Sequence, residues 1–301
     1  MDAKQNRGLE AAVLAYTLWG LLTLYWRHLR DLDAIELVGW RIASASVLMA
    51  IIVTITKRWA PIVAALRDRA VASRILLASA LLTVNWATYV WAVVNDHIIE
   101  TALGYFLAPL GTMALGVFAF GERLTRFKQV SIVLAVGAVV ILTASYGRLP
   151  WVAVLLAVSW VWYGWTKRHV PLEAVESLTS ELLVLVVPAV GLVTWGWFRD
   201  QGIPATASSS EWGFLLGTGV ITAVPLLLFA YAAQRVPFTL LGPTNYLVPI
   251  INFLLGWLAF HEDLPPDRLV GFALVWAALV LVTYDTLRAR AIIPGSVALD
   301  V

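Results

Sequence analysis

The sequence contains no cysteine and only four histidines, and charged side chains make up just 13% of its 301 residues. Without cysteine, the chain cannot form disulfides, iron-sulfur clusters, thiolate zinc sites or thiol nucleophiles. The histidines lie at the ends of apolar runs or between them, so no pair has the spacing of metal ligands. No glycine-rich loop precedes a lysine, and a net charge of +2 does not indicate nucleic acid as a partner. We therefore predict no enzyme, no cofactor and no metal site.

Apolar residues dominate instead, at 60% of the chain with a mean hydropathy of +0.82. Too few polar side chains remain to cover a soluble globule, which predicts an integral membrane protein. A helix of about 20 residues crosses the hydrocarbon core, and the apolar runs lack the alternation of a barrel wall. The predicted fold class is all-α with ten transmembrane helices, at 9–26, 35–56, 75–95, 102–121, 128–145, 150–166, 175–198, 212–234, 239–260 and 269–287.

Basic residues predict how these spans are oriented. With the N-terminus on side A, fifteen lysines and arginines flank the spans on side A and five on side B. Because basic residues are enriched in cytoplasmic loops, side A is predicted to be cytoplasmic, with both termini inside.

The sequence repeats itself at an offset of 140 residues. Residues 107–124 and 247–264 share eight identities in 18 positions without a gap, including Pro109 with Pro249 and Glu122 with Glu262. Repetition of proline and glutamate in register indicates a doubled unit rather than shared apolar composition. The predicted organisation is a first five-helix repeat, a second repeat and a short tail, at 1–145, 146–290 and 291–301.

An odd number of spans in each half has a geometric consequence. The second half enters the bilayer from the opposite side, so a pseudo-two-fold axis in the membrane plane relates the two repeats. Inverted repeats of this kind can exchange conformations and open a central site to either side in turn, which predicts alternating-access transport. The alternative from the same pattern is a duplicated bundle kept for stability alone.

Polar, aromatic and proline residues near mid-span are the candidates for a solute pathway. The predicted substrate-binding residues are Trp19, Asn85, Tyr89, Tyr105, Thr112, Trp162, Tyr163, Thr222, Phe229, Asn245, Tyr246 and Asn252. The predicted hinges are Pro109, Pro225 and Pro249, since proline in a span removes a backbone hydrogen bond. Five further tryptophans lie deep in the spans, and most of them are interpreted as packing or lipid-facing residues: Trp86, Trp91, Trp160, Trp257 and Trp276.

Charge within the predicted spans is limited to a few positions. Arg41 lies about two turns into the second span, and Glu181 occupies the matching position of the seventh. The inverted relation places them at opposite depths, so they are not expected to pair. Glu181 either reaches Lys167 or Arg168 at the cytoplasmic interface or serves as a proton-coupling or amine-binding site. The repeated Glu122 and Glu262 are interpreted as turn and packing devices.

At these residues the chain resembles the EamA-type branch of the drug/metabolite transporter superfamily, within it the RarD-like group, close to YddG-type exporters of aromatic and other neutral amino acids. The resemblance covers about residues 9–287 and is carried by NWATYVWAV (85–93), LGYFLAPL (103–110), GERL (121–124), PLLLFAYAAQR (225–235) and NYLVPIINFLLGWLAFHE (245–262). It implies ten spans in two inverted repeats around a cavity lined by spans 1, 3, 4, 6, 8 and 9.

The expected function is transport of neutral amino acids and similar small metabolites across a bacterial inner membrane, by export or equilibration. Tryptophan and tyrosine walls would contact an apolar side chain, and amides and freed carbonyls would bind the zwitterion without any fixed charge. The alternatives are a proton-coupled multidrug or metabolite exporter, or a membrane binding or scaffold protein that transports nothing. The expected partners are a small-molecule substrate and the lipid bilayer, and a monomer is compatible with the sequence.

Overall fold

Helices make up nearly all of the structure, a computed structural model that describes residues 3–120, 125–233, 235 and 244–291. In chain order they are α1 (Ala3–Arg27), α2 (Ala34–Ile55), α3 (Trp59–Arg67), α4 (Arg69–Val94), α5 (Ile98–Phe120), α6 (Arg126–Tyr146), α7 (Trp151–Lys167), α8 (Ala174–Trp197), α9 (Ile203–Thr206), α10 (Ser209–Ala233), α11 (Leu247–Leu254) with a π-helical turn at Leu255–Ala259, and α12 (Pro266–Ala291). The all-α fold class is confirmed, and these described ranges contain no strand.

Within the described ranges, eight helices are long and apolar enough to cross a membrane, namely α1, α2, α4, α5, α6, α8, α10 and α12. The other two predicted spans correspond to α7, with 17 residues, and to the shorter apolar stretch Leu247–Ala259. A count of ten spans therefore stays a prediction. The GERL segment with Glu122, the start of the ninth predicted span and the tail from 292 lie outside the described residues.

Two short helices, α3 and α9, are not predicted by the hydropathy pattern. Nine residues are too few to register as an apolar span, yet α3 buries Ile62 and Ala65 against the bundle. Asp68 then separates α3 from α4. Its carboxylate accepts hydrogen bonds from the N–H groups of Ala70 and Val71, at 2.8 and 3.2 Å. This side chain satisfies two free donors of the first turn, so α4 begins at Arg69 rather than near residue 75.

Contacts between helices of the two predicted halves come in matched pairs. Helix α1 packs on α10, and its counterpart α7 packs on α4. Helix α5 packs on α7, while the corresponding α11 packs on α1. Three further pairs join a helix to its own counterpart: α2 with α8, α5 with α11, and α6 with α12. If each helix is replaced by its counterpart in the other half, the same helix pairs are in contact, as a two-fold relation requires. The boundaries of the halves at 145 and 290 stay a prediction.

Polar contacts identify the two ends of the bundle. The A end carries the start of α1, the end of α2 and the α7 to α8 connection, where Arg58 of the first half donates to Glu173 and Glu176 of the second at 2.7 and 2.9 Å. The B end carries the α1 to α2 connection, where Arg199 donates to Glu36 at 3.2 Å. Each end is therefore joined by ion pairs between the halves.

Close approach of the backbones depends on glycine at two crossings. A Cβ at Gly104 would lie 2.9 Å from the carbonyl oxygen of Ala153, so α5 and α7 pack backbone to backbone there. A Cβ at Gly219 would lie 2.7 Å from the carbonyl oxygen of Ser44, between α10 and α2. Small residues permit this approach in membrane bundles.

Candidate functional site

A cavity of about 400 Å³ lies between the two halves of the bundle. Helices α1, α4, α5, α7, α10 and the α11 region supply much of its wall, and these are the six spans implied by the family resemblance. Helices α2 and α8 contribute as well, which the sequence did not indicate. A volume of this size lies at the lower end of small-molecule pockets, about 300 to 1,000 Å³.

Many of the predicted substrate-binding residues meet in this cavity. Those lining it are Trp19, Asn85, Tyr89, Tyr105, Tyr163, Thr222, Phe229 and Asn245, with Pro249 of the predicted hinges. They come from six helical segments and both halves of the chain. Contact with a substrate stays a prediction for each of them.

Other predicted residues lie elsewhere. Trp162 is 43% exposed and packs against Trp165, on the outer side of α7. Its placement in the cavity was wrong because successive residues of a helix point about 100° apart, and Tyr163 is the residue that faces inward. Thr112 donates to the carbonyl of Ala108 in its own helix at 3.0 Å. Tyr246 packs against the cluster around α6 and α12.

The predicted hinges Pro109 and Pro225 lie within α5 and α10, and both helices continue through them. Neither residue lines the cavity. Pro249 lies within α11 and borders the cavity. Bending at these three positions stays a prediction.

A buried hydrogen-bond network forms the B-side floor of the cavity. Thr23 and Tyr89 share a bond of 2.9 Å between their hydroxyl groups, and Thr23 donates to Asn252 at 2.9 Å. Asn252 in turn donates to Thr101 at 3.4 Å. These four side chains come from α1, α4, α11 and α5, so the predicted residue Asn252 joins the two halves beneath the cavity rather than lining it.

Asn85 connects the cavity wall to α7. Its amide donates to the carbonyl of Leu156 at 3.2 Å and to the hydroxyl of Ser159 at 3.0 Å. The Tyr105 hydroxyl lies 3.5 Å from its amide oxygen, a weak contact at most. The hydrogen-bond donors of the Asn85 amide are therefore paired within the protein, and these bonds hold α4 against α7.

Aromatic rings cover two sides of the cavity. Tyr16, Trp19 and Phe229 form a cluster with ring centres 5.4 to 5.9 Å apart. On the other side, Trp160 lies 6.4 Å from Tyr105 and 5.7 Å from Tyr163. Such edge and tilted geometries are the favoured ones for aromatic pairs. Two of the five deep tryptophans, Trp86 and Trp160, also line the cavity.

Two cationic side chains also line the cavity, Arg41 in α2 and Lys167 at the end of α7. The expectation of a site without any fixed charge was therefore wrong. Arg41 lies at the deep end, where its Nε is 3.3 Å from the Thr222 hydroxyl. The sequence signal for Arg41 was that it is the one basic residue lying well inside a predicted span rather than at its edge. Sequence did not show which way its side chain pointed.

Lys167 is paired with the fully buried Glu181. The ammonium is 2.5 Å from one carboxylate oxygen of Glu181 and 2.5 Å from the Ser177 hydroxyl. Tyr163 donates to the other carboxylate oxygen at 3.0 Å. The expected contact with Lys167 is thus present, and Glu181 is not among the residues lining the cavity. A coupling role for Glu181 stays a prediction.

As far as the described residues line it, the cavity extends toward the A end of the bundle. Its lining reaches the A end at Lys167 and Ala174. Toward the B end, the floor network is followed by an ion pair of Arg27 with Asp96 and by the Arg27 guanidinium 4.6 Å from the Phe260 ring centre. The ion pair joins α1 to the end of α4 within the first half, and the contact of Arg27 with Phe260 again joins the first half to the second.

The comparison with protein families decides the assignment. The model of the EamA-like transporter family matches residues 6–144 and again residues 150–284. The chain belongs to the EamA-like transporter family. It is a multi-pass membrane protein and a transporter of the drug/metabolite type.

Relatives of this EamA-like transporter come from several bacteria. Protein RarD from Streptomyces exfoliatus is 40% identical over 287 residues, covering 95% of this chain and 91% of its own length. An uncharacterized transporter, YojE from Bacillus subtilis, is 33% identical over 290 residues, covering 95% and 96%. A crystal structure matches with a TM-score of 0.60 over 93% of this chain and 98% of its own, at 17% identity, and supports the fold alone. The family description and the printed name of YojE indicate transport rather than catalysis.

Glu262 forms a further contact between the halves of this EamA-like transporter, at the B end. Its carboxylate accepts the N–H groups of Ile98 and Ile99, at 2.6 and 2.9 Å, and so caps the start of α5. An acidic group is favourable at a helix N-terminus. The interpretation of Glu262 as a turn and packing device was incomplete, because Glu262 belongs to the second half and the helix that it caps, α5, belongs to the first.

The carboxyl group of Glu262 has a raised pKa of about 7 compared with an ordinary value of 4.5, mainly because it is buried. Asp96 raises this pKa further, whereas the two N–H donors and Arg27 lower it. Because the folded protein holds this proton more tightly than the unfolded chain, the contribution of Glu262 to stability is fully present below about pH 4.5 and is lost as the pH rises through 7.

We therefore expect the melting temperature of the purified protein to fall between pH 5 and pH 8, and Glu262→Gln to flatten that fall. Glu211→Gln is a matched control, since Glu211 accepts the N–H of Ser208 at a surface helix start. An identical pH profile in the wild type and Glu262→Gln would contradict this account.

Proposed function

We propose that the protein is an alternating-access transporter of neutral amino acids with apolar or aromatic side chains, and of similar small metabolites. The observation that carries this proposal is a small, aromatic-walled cavity with polar groups at its deep end, built from both halves of the chain. Aromatic rings suit an apolar side chain, and the polar deep end suits the head group of an amino acid.

The matched packing of the two halves supports alternating access. If the halves exchange conformations, contacts now closing the B end would open and the equivalent contacts at the A end would close. We propose that the protein lies in the bacterial inner membrane with the A end and both termini cytoplasmic, as the distribution of basic residues favours. The described arrangement is then the inward-open one, which allows net export or equilibration.

Export of cationic drugs is less well supported. Among the residues that the structure describes, no aspartate or glutamate lines the cavity. The nearby Glu181 carboxylate is already bound by Lys167 and Tyr163. An organic cation would therefore meet two positive side chains and no available carboxylate, an arrangement that disfavours it.

Counterflow in liposomes tests the proposal. The purified protein is reconstituted with an internal pool of one neutral amino acid, and uptake of labelled phenylalanine, leucine, glutamate and an organic cation is followed with and without a pH gradient. We expect uptake of the neutral amino acids above that of empty liposomes. Uptake of the organic cation alone, dependent on the pH gradient, would instead support the drug-exporter alternative.

Tyr89 offers a sharper test of the cavity. Its ring lines the wall, and its hydroxyl belongs to the floor network. We expect Tyr89→Ala to raise the substrate concentration for half-maximal counterflow about fivefold, since one aromatic contact contributes about 1 kcal/mol. Tyr284→Ala is the matched control because Tyr284 is 52% exposed on α12. Equal counterflow kinetics in Tyr89→Ala and Tyr284→Ala would place the substrate elsewhere. We also expect Asn85→Ala to reduce counterflow.

A further inference from the structure

We infer that Arg41 binds a negatively charged carboxylate of the transported solute, so that the substrates are small carboxylates with an apolar body. This inference rests on the proposed function and specifies which chemical group the cavity requires. The fixed positive charge of Arg41 is then the group at the deep end of the cavity that recognises the substrate.

Arg41 is a buried cation without a counterion. The residue is 4% exposed, and its Nη1 has no hydrogen-bond partner. None of the ion pairs formed within the described ranges includes Arg41. Buried charges in proteins are normally paired, because an uncompensated one is costly. A ligand that supplies the missing negative charge would remove this cost.

The guanidinium is nevertheless held in one position. Its Nε lies 3.3 Å from the Thr222 hydroxyl. Its carbon atom lies 4.1 Å from the ring centre of Trp86 and 5.3 Å from that of Trp26. Guanidinium groups interact favourably with tryptophan faces at such distances. None of these contacts supplies an acceptor for Nη1. The protein therefore fixes the position of the guanidinium but does not supply an anion to pair with it.

The second cation of the cavity does not compete for the same ligand. Lys167 is neutralised by Glu181 and lies near the A end. Within the described part of the cavity wall, one unpaired positive charge therefore remains, which matches one monoanionic group. A carboxylate accepts two parallel hydrogen bonds from a guanidinium fork, a geometry that an ammonium cannot offer.

The walls around Arg41 indicate the rest of the molecule. Leu22, Leu82 and Leu226 line the cavity with its aromatic rings. A solute with an apolar or aromatic side chain can contact these surfaces while its carboxylate reaches the deep end. A phosphate dianion would require a second free cation, which the cavity wall does not provide among the residues that the structure describes.

Ligand-induced thermal shifts of the purified full-length protein test this inference without requiring transport. The probes are L-phenylalanine, 3-phenylpropionate, L-phenylalanine amide and inorganic phosphate. We expect the two carboxylates to raise the melting temperature of the wild type and the amide and phosphate to leave it unchanged. Equal shifts with phenylalanine and its amide, or no shift with either carboxylate, would overturn the inference.

Two variants and a control separate binding from folding. We expect Arg41→Gln to weaken the response to both carboxylates by about tenfold to a hundredfold, the value of a charge-assisted hydrogen bond, and Arg41→Lys to retain part of it. Without a ligand, Arg41→Gln should melt no lower than the wild type, since it removes an unpaired buried charge. Arg268→Gln is the control, because Arg268 also stacks on a ring, at 4.0 Å from Tyr146, but lies outside the cavity.

The outcomes distinguish the two proposals. If the carboxylates bind only when Arg41 is present but no solute crosses liposomes, the proposed function fails and the Arg41 site stands. If neutral amino acids are transported equally by the wild type and by a folded Arg41→Gln variant, the Arg41 site fails and the proposed function stands. A fall in unliganded stability of Arg41→Gln with unchanged carboxylate binding would show a structural role and overturn the inference.

Discussion

Cross-linking Arg27→Cys to Phe260→Cys is expected to reduce counterflow to the level of empty liposomes. Arg27 ends α1 of the first half, and Phe260 follows the π-helical turn of the second. Their side chains lie 4.6 Å apart, measured from the guanidinium carbon to the ring centre. A covalent bridge here prevents the B end from opening, and an alternating-access transporter then cannot release its solute on that side.

The sequence suits this experiment because it contains no cysteine that would react in the background. The measurement is counterflow before and after treatment with a reducible bifunctional thiol reagent, and reduction should restore the flux. Thr125→Cys with Asp285→Cys is the matched control. These side chains are 2.9 Å apart and join α6 to α12, away from the cavity. Full flux with the Arg27 to Phe260 bridge in place would refute alternation at the B end.

Replacing Glu181 with leucine while Lys167 remains should lower the free energy of unfolding by about 3 to 5 kcal/mol. The Glu181 side chain is fully buried, and that of Lys167 is 24% exposed. Loss of the carboxylate leaves the ammonium and the Tyr163 hydroxyl without their shared acceptor. The double variant Lys167→Met with Glu181→Leu should recover most of the loss, because an apolar pair of similar size is often nearly neutral.

Denaturant unfolding of the purified variants measures this difference. Glu173→Ala is the comparison, since Glu173 pairs with Arg58 across side chains that are 67% and 44% exposed. Such an exposed pair contributes at most about 1 kcal/mol. If Glu181→Leu were no more destabilising than Glu173→Ala, the buried Glu181 to Lys167 pair would not stabilise the protein as proposed.

Several site residues could be predicted because their chemistry is unusual for their place. Asn85 and Tyr89 are polar or aromatic groups near the middle of an apolar run, one helical turn apart. Both line the cavity. Their position on one helix face is a local property, and polar groups in hydrocarbon are costly unless they face the interior.

Other residues could not be placed because the rotation of each helix about its axis is not readable from its own sequence. Trp162 and Tyr163 are neighbours, yet only Tyr163 lines the cavity. Arg41 was recognisable as a charge in a span, but its position between Trp86 and Trp26 depends on α1, α2 and α4 together. The floor network joins Thr23 to Asn252, which are 229 positions apart.

The sequence by itself determined that this is a helical membrane protein with two related halves. Hydrocarbon requires that every backbone polar group be satisfied within its own segment, so long apolar runs become helices. The two halves are recognisable as copies because proline, glycine and glutamate recur in register at an offset of 140 residues. Only the tertiary structure decided that Arg41 borders the cavity with no counterion among the described residues, while Lys167 is neutralised by Glu181. Those charges depend on side-chain packing between helices far apart in the chain, for which no local pattern exists.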